Sequence, residues 1–184
     1  SKPKDEIDYL DLRIEYREKY YASGTINSSR FVKREGRPTD DATISRRVID
    51  HAFRPLFPKD FNLSVQIVVT VLSLDDHADA EFLALVATSA ALHASKLPVV
   101  GPVGSVRVGF IQGKHILCPS RHELHEVSDI EMMVSFVSDE KRFLAVEAGM
   151  NVIPEETVLE SINFARDNVD PLIGLIKDFA SEVN

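Results

Sequence analysis

From Leu63 to Leu74 the chain carries Val65, Ile67, Val68, Val69, Thr70 and Val71, β-branched at almost every position, between two stretches with helical apolar spacing. Such side chains are stiff and pack well on a pleated surface, so the run predicts a central strand. Upstream, Ile44, Val48, Ile49, Phe53 and Leu56 recur at helical intervals after Thr39 and Asp40, either of which can cap. Asp40 and Asp41 also suit the positive end of the helix dipole. Arg54-Pro55 and Phe57-Pro58 stop that helix, because a residue before proline is pushed out of the helical region. Downstream, Asp75-Asp76 predicts the cap of a second helix, about His77 to Ser95. Its alanines (Ala80, Ala84, Ala87, Ala90, Ala91, Ala94) cover most faces and predict close packing on a sheet.

The rest of the chain continues the mixture. Tyr9–Glu15 alternates as a half-buried strand, and Lys19–Pro38 reads as a long exposed loop with turn chemistry at Gly24, Asn27-Ser28-Ser29 and Gly36. Ser105–Ile111 and Lys114–Cys118 predict a hairpin around Gln112-Gly113. Ile130–Val137 and Arg142–Ala148 predict a second one. A last helix starts after Pro154, with Val158, Leu159, Ile162, Ala165 and Val169 as its apolar stripe, and Pro171 should kink or split it. Roughly six strands and three long helices make an α+β fold, helices packed on a largely antiparallel or mixed sheet. The expected division is a domain over residues 1–153 and a C-terminal helix over 154–184.

Composition narrows the function. The 184 residues hold 21 basic and 29 acidic side chains, a net charge of −8, which excludes a generally basic nucleic-acid coat but leaves room for a local patch. No apolar run is long enough to span a bilayer, and Ser-Lys-Pro-Lys-Asp-Glu at the N-terminus lacks the apolar core of a secretory signal. The single cysteine, Cys118, excludes an intramolecular disulfide and a cysteine-rich zinc site. A reducing compartment, the cytoplasm or an organelle matrix, is the expected location.

The patch lies between Arg30 and Arg54, where seven basic residues (Arg30, Lys33, Arg34, Arg37, Arg46, Arg47, Arg54) face four acids, a net of +3. Arginine offers phosphate a planar, permanently charged fork of donors. Phe31 stands among these charges in the predicted loop, the pairing that suits single-stranded nucleic acid: bases stack while cations hold the backbone. On the first helix Arg47, His51 and Arg54 share one face, at i, i+4 and i+7. The bland alternative stays open: Phe31 tucked into the core, and the charges paired among themselves as a surface ladder with Glu35 and Asp50.

The same residues carry a resemblance. Phe31-Val32-Lys33-Arg34-Glu35-Gly36-Arg37-Pro38-Thr39, Ile49-Asp50 and Phe53-Arg54-Pro55-Leu56-Phe57-Pro58-Lys59 resemble the N-terminal part of the polynucleotide phosphorylase family. Val65–Val71, Thr88-Ser-Ala-Ala-Leu92, Leu97-Pro98, Gly101-Pro-Val-Gly104 and Arg107-Val-Gly109 follow it in order, so the likeness covers essentially the whole chain. It implies an RNase PH-like fold (the ribosomal protein S5 domain 2-like class). It also implies a place in a phosphorolytic 3′-to-5′ exoribonuclease that consumes inorganic phosphate, releases nucleoside diphosphates and assembles as a ring-shaped homotrimer around single-stranded RNA.

That family carries two RNase PH-like copies, and its second holds a glycine-serine-serine string for phosphate and aspartates for Mg²⁺. Here the corresponding segments read Thr88-Ser89-Ala90-Ala91 and Ile116-Leu-Cys-Pro-Ser120, so the chain resembles the first, non-phosphorolytic copy, beginning after that copy's opening strands. No catalytic residue, metal ligand or cofactor is therefore expected in this chain. The resemblance assigns Phe31, Val32, Lys33 and Arg34 to the constriction of the RNA channel, where Val32 and Lys33 depart from the usual two phenylalanines and two arginines. It adds Arg37, Arg47, His51 and Arg54 to the RNA path, His51 standing where an arginine is expected. Two rivals remain: a structural or RNA-binding subunit of an RNase PH-like ring, and a free-standing phosphorolytic enzyme.

Several motifs weigh less. His122-Glu-Leu-His-Glu126 has its histidines three apart, not the four a zinc-protease helix needs. Asp75-Asp76-His77-Ala-Asp79 reads as an acidic helix start, Ser89 as packing, Gly101 and Gly104 as turn residues, and Cys118 as a small buried hydrophobe.

Overall fold

The computed structural model describes residues 9–24, 38–75, 77, 79–137 and 140–183. Among them the order is β1 (Leu12–Glu18), α1 (Asp40–Phe53), β2 (Val65–Val71), α2 (Ala80–Ala94), β3 (Val103–Ile111), β4 (Lys114–Leu117), β5 (Ile130–Val137), β6 (Arg142–Met150), α3 (Glu155–Asp167) and α4 (Asp170–Val183). β1, α1 and β2 form a crossover unit, the two strands pairing parallel from Leu12↔Val65 to Glu18↔Val71. The other four strands form an antiparallel sheet in the order β4-β3-β5-β6. The expected α+β class, with helices on a mixed set of strands, is what the chain adopts.

The four-stranded sheet is covered on both faces, which is why β3 is buried along most of its length. On one face Val106, Val108, Ile130, Met132, Val134 and Phe136 pack with Ala165, Val169 and Ile173 of the α3–α4 pair. On the other, Val103, Met133 and Val137 join a core with Ile49, Phe53 and Leu85 of α1 and α2 and with Leu12, Ile14 and Tyr16 of β1. Ser105 and Ser135, opposite each other on that second face, satisfy one another at 2.8 Å. The Ser89 hydroxyl oxygen accepts from the Val103 amide at 2.9 Å, so this buried serine ties α2 to the start of β3.

Several expectations need correction. The β-branched run is not a central strand: β2 pairs with β1 in a separate two-stranded sheet, and Gln66, Val68 and Thr70 are exposed. β-branching reports a pleated surface but not how many faces are covered. β1 starts three residues later than expected, at Leu12, and its buried alternation extends to Tyr16. α2 starts at Ala80, not near His77, because Asp79 is its cap, accepting from the amides of Glu81 (3.0 Å) and Phe82 (3.1 Å). Asp75 instead closes a local turn onto the His77 amide. Ile44 and Leu159 leave their expected stripes for solvent, and Ser45 and Ser161 are buried instead. Cys118 is exposed, with a positive φ just past β4.

Pro171 does accompany a split helix, the break falling at Asn168-Val169 so that proline sits in the first turn of α4. Gln112 and Gly113 both take positive φ, as a tight two-residue hairpin requires. Gly104 is not a turn residue. It lies in β3 beneath the α3–α4 junction, where an added Cβ would meet Val169 Cγ2 at 2.5 Å and Ile173 Cγ1 at 2.9 Å.

Gly104→Ala is therefore expected to cost about 1–3 kcal/mol of stability through overpacking. Gly149→Ala, on open β6 with nothing within 4 Å of the new Cβ, should stay within about 0.5 kcal/mol. Urea unfolding midpoints of the two variants check the contrast.

Candidate nucleic-acid interface

The carboxyl ends of β1 and β2 point at one place, and so do the amino ends of α1 and α2. Ligands commonly bind outside the carboxyl ends of parallel strands, where loops and helix N-termini meet. A cleft of about 440 Å³ opens there, lined by Tyr16 and Glu18 of β1, Asp41, Ser45 and Val48 of α1, and Asp79 to Glu81 of α2. Arg107, Glu131 and Glu147 line it from the sheet, and Arg121 and His125 from the segment after β4. Six carboxylates thus face two guanidiniums and one imidazole.

At the floor of the cleft Arg107, 8% exposed, projects from the middle of β3. Its Nε reaches Asp79 at 2.6 Å, its Nη1 Glu131 at 3.2 Å and its Nη2 Glu81 at 3.3 Å. A buried cation needs such partners, because desolvating it alone costs several kcal/mol. The Glu81 carboxylate also accepts from the Ser45 hydroxyl at 3.0 Å, so the cluster ties α1, α2, β3 and β5 together. Desolvation nonetheless holds the Glu81 carboxyl above the ordinary range, Arg107 and Ser45 offsetting it only in part. His125 adds a contact to Glu131 at 3.3 Å.

This arrangement is poorly built for phosphate. The amides of the first turn of α2, which would otherwise attract an anion, are taken by the Asp79 side chain, and Glu81 follows in the same turn. Nor does the donor set fit Mg²⁺: three of the carboxylates are engaged by Arg107, whose charge repels a second cation. No cluster of three or more metal-ligating side chains occurs among the described residues.

The basic face of α1 lies beside this cleft. Arg47 is exposed and makes no ion pair among the described residues. His51 is exposed too, its Nδ1 3.8 Å from Glu147 of β6. Arg54 is committed elsewhere. It holds Asp50 in a fork (3.0 and 2.6 Å) and donates to the carbonyls of Leu10 (3.3 Å), just before β1, and Leu12 (3.2 Å), its first residue. The hydrogen bond to Asp50 holds its guanidinium pKa above the ordinary value. Of the helical trio, then, Arg47 and His51 face solvent with little local neutralisation, while Arg54 fastens the helix end to the strand. Phe31, Val32, Lys33, Arg34 and Arg37 lie outside the described residues.

Residue pattern alone did not single out Arg107 as part of a site. Its signal was present: a lone charge between Val106 and Val108 in an otherwise apolar strand must have buried partners. His125 sits on an irregular helical turn at 123–127 and His122 immediately precedes it, while the Glu123 carboxylate accepts from the Ser120 amide and hydroxyl, so that motif closes a local turn.

Comparison with known proteins fits this two-part build. The 3′ exoribonuclease family, domain 1, matches residues 1–98, and domain 2 of the same family matches residues 101–168. The polyribonucleotide nucleotidyltransferase of Gemmatimonas aurantiaca is 42% identical over 183 residues, and polyribonucleotide nucleotidyltransferase 2 of Alkaliphilus metalliredigens is 40% identical over 183. Each alignment takes in the whole chain but only 24% and 26% of those proteins, so the chain spans about a quarter of the length of these relatives. Among solved structures, rice Rrp46 superposes with a TM-score of 0.77 at 12% identity, over 98% of this chain and 79% of that one, which shows the fold.

Two outcomes follow from the charge cluster. Arg107→Leu is expected to destabilise the fold by about 3–5 kcal/mol, since three carboxylates would be left without their cation. The folded state binds a proton at Glu81 more readily than the unfolded chain does. Its contribution to folding is therefore fully present below the ordinary value of 4.5 and is lost as pH rises through the higher folded value. Glu81→Gln should flatten that part of the stability profile relative to the parent, measured by urea unfolding between about pH 4 and 8.

Proposed function

The chain belongs to the RNase PH family of 3′ exoribonucleases, and we propose that it is the RNA-guiding, ring-building copy of that fold in a phosphorolytic 3′-to-5′ exoribonuclease, not the copy that performs the chemistry. The observation that carries this reading is the charge of its cleft. Phosphorolysis must hold inorganic phosphate beside the RNA backbone, two anionic species in one place. Here the cleft offers six carboxylates, an α2 N-terminus occupied by Asp79, and a buried arginine already neutralised by three acids.

The reaction accordingly takes place in a sister copy, which supplies the phosphate site and Mg²⁺. Those copies assemble into a homotrimeric ring in the cytoplasm or an organelle matrix, and degradation of mRNA is the task. The curated relatives bear the name polyribonucleotide nucleotidyltransferase and are about four times as long, which leaves room for such a sister domain. This copy contributes cations on the RNA path. Lys33, Arg34 and Arg37 attract the backbone, Phe31 stacks a base, and exposed Arg47 and His51 extend the path along α1, with Arg54 holding the end of that helix in place.

Binding of single-stranded RNA should therefore depend steeply on salt. Lys33→Ala/Arg34→Ala should weaken it and make the salt dependence shallower by about 0.7 log units per decade for each phosphate that is no longer neutralised. Titrations at several salt concentrations check this, and equal affinity and slope for variant and parent would remove the channel role.

A further inference from the structure

Tyr16 carries a buried hydroxyl that the protein itself does not satisfy. It is the third inward residue of β1, after Leu12 and Ile14, and its ring belongs to the core shared with α1 and α2. The residue is only 4% exposed and lines the acidic cleft, where its hydroxyl makes no hydrogen bond among the described residues. Buried hydroxyls are ordinarily paired, because a bare one has lost its water and gained nothing. Burial first, and then the charges of Glu18, Glu81 and Asp79, push the phenol pKa up, so the group stays neutral and keeps oxygen lone pairs to offer. The acids around it fall into two sets. Asp79, Glu81 and Glu131 are engaged by Arg107. Glu18, Asp41 and Glu147 meet no lysine or arginine among the described residues. Glu18 accepts from the Thr39 hydroxyl at 3.3 Å, Glu147 lies 3.8 Å from His51, and the Asp41 carboxylate has no polar partner among the described residues. Arg121 lines the rim too, so six carboxylates against two guanidiniums leave four negative charges in one cleft while the histidines are neutral.

We propose that this cleft binds an aliphatic polyamine, whose ammonium groups meet Glu18, Asp41, Glu147 and the Tyr16 hydroxyl oxygen while its methylenes lie against Val48, Leu74 and Leu124. The lining selects this class of cation. The three free acids come from β1, α1 and β6, and no three metal-ligating side chains among the described residues gather closely enough for one ion. Separated carboxylates suit a chain of separated charges. The apolar side chains between them, buried Val48 and Leu124 and half-buried Leu74, suit methylenes, which a hydrated inorganic cation does not possess. Ammonium N–H groups donate to carboxylates in strong, charge-assisted bonds, and the neutral Tyr16 oxygen accepts one more. At about 440 Å³ the cleft has the usual size of a small-molecule site. Its ligand has the opposite sign to an RNA phosphate, so the inference stands or falls apart from the RNA-guiding reading.

Calorimetric titration of spermidine into the whole chain at low salt tests the site, with Mg²⁺ at equal charge concentration and a trilysine peptide as comparison probes. The parent should bind one spermidine saturably and unfold at a higher temperature in its presence. Asp41→Asn/Glu147→Gln should weaken binding about tenfold or more, and Tyr16→Phe about threefold or more. Glu155→Gln/Glu156→Gln removes the same charge from the exposed first turn of α3 and should keep the parent affinity. Tyr16→Phe keeps the ring in the core and gives up no hydrogen bond within the protein. Its urea midpoint should therefore match the parent's, which separates lost binding from lost folding. Absence of binding by the parent, or parent-like affinity of either cleft variant, overturns the site. Equal weakening by the α3 pair, or equal displacement by Mg²⁺, reduces it to diffuse charge attraction and overturns it as well. Trilysine binding tighter than spermidine, with the same losses in the variants, overturns the polyamine as occupant and gives the cleft to the lysines of another protein.

Discussion

One buried guanidinium organises this molecule. Arg107 stands in a strand that is otherwise apolar, and its three carboxylate partners come from the α2 cap, the α2 first turn and β5. Two of them, Asp79 and Glu81, belong to the first family module, while Arg107 and Glu131 belong to the second. The ion cluster is thus a joint between the halves, at the place where the apolar core gives way to a cleft. Hydrophobic burial on both faces of the sheet supplies most of the driving force; the cluster fixes where α2 begins and how it sits over β3.

The same joint sets what the cleft can do. A surplus of carboxylates is needed to keep Arg107 paired from several sides, and that surplus makes the cleft hostile to phosphate. On the proposed reading, the cations that meet RNA lie outside it, on the solvent face of α1. Arg54 shows how finely such placement is decided: one helical turn separates it from exposed His51, yet its donors are taken up by Asp50 and the carbonyls of Leu10 and Leu12.

Much of the fold was legible because period and punctuation agreed. The Thr39 cap, the two prolines after Phe53, the Gln112-Gly113 turn and Pro154 each marked a boundary that the structure keeps within a few residues. What was not legible depended on partners distant in sequence. Nothing within Val65–Val71 says that only β1 will pair with it, and nothing beside Asp79, which the acidic run already marked as part of a helix start, says that it will also hold Arg107. Ile44 and Leu159 matched a helical stripe by spacing but were rotated out, because small Ser45 and Ser161 allow closer approach. For the site, sequence singled out the basic helix face, of which Arg47 and His51 are open to solvent. It passed over the acidic cleft, which exists only once β1, α1, α2 and the four-stranded sheet converge.

The central claim, that this copy guides RNA and leaves the chemistry to a sister copy, is tested most directly by incubating the purified 184-residue chain with polyadenylate and inorganic phosphate and measuring released nucleoside diphosphate. The expected result is retention of the polymer without phosphate-dependent release. Release of adenosine diphosphate that rises with phosphate concentration and survives removal of trace contaminants would contradict it.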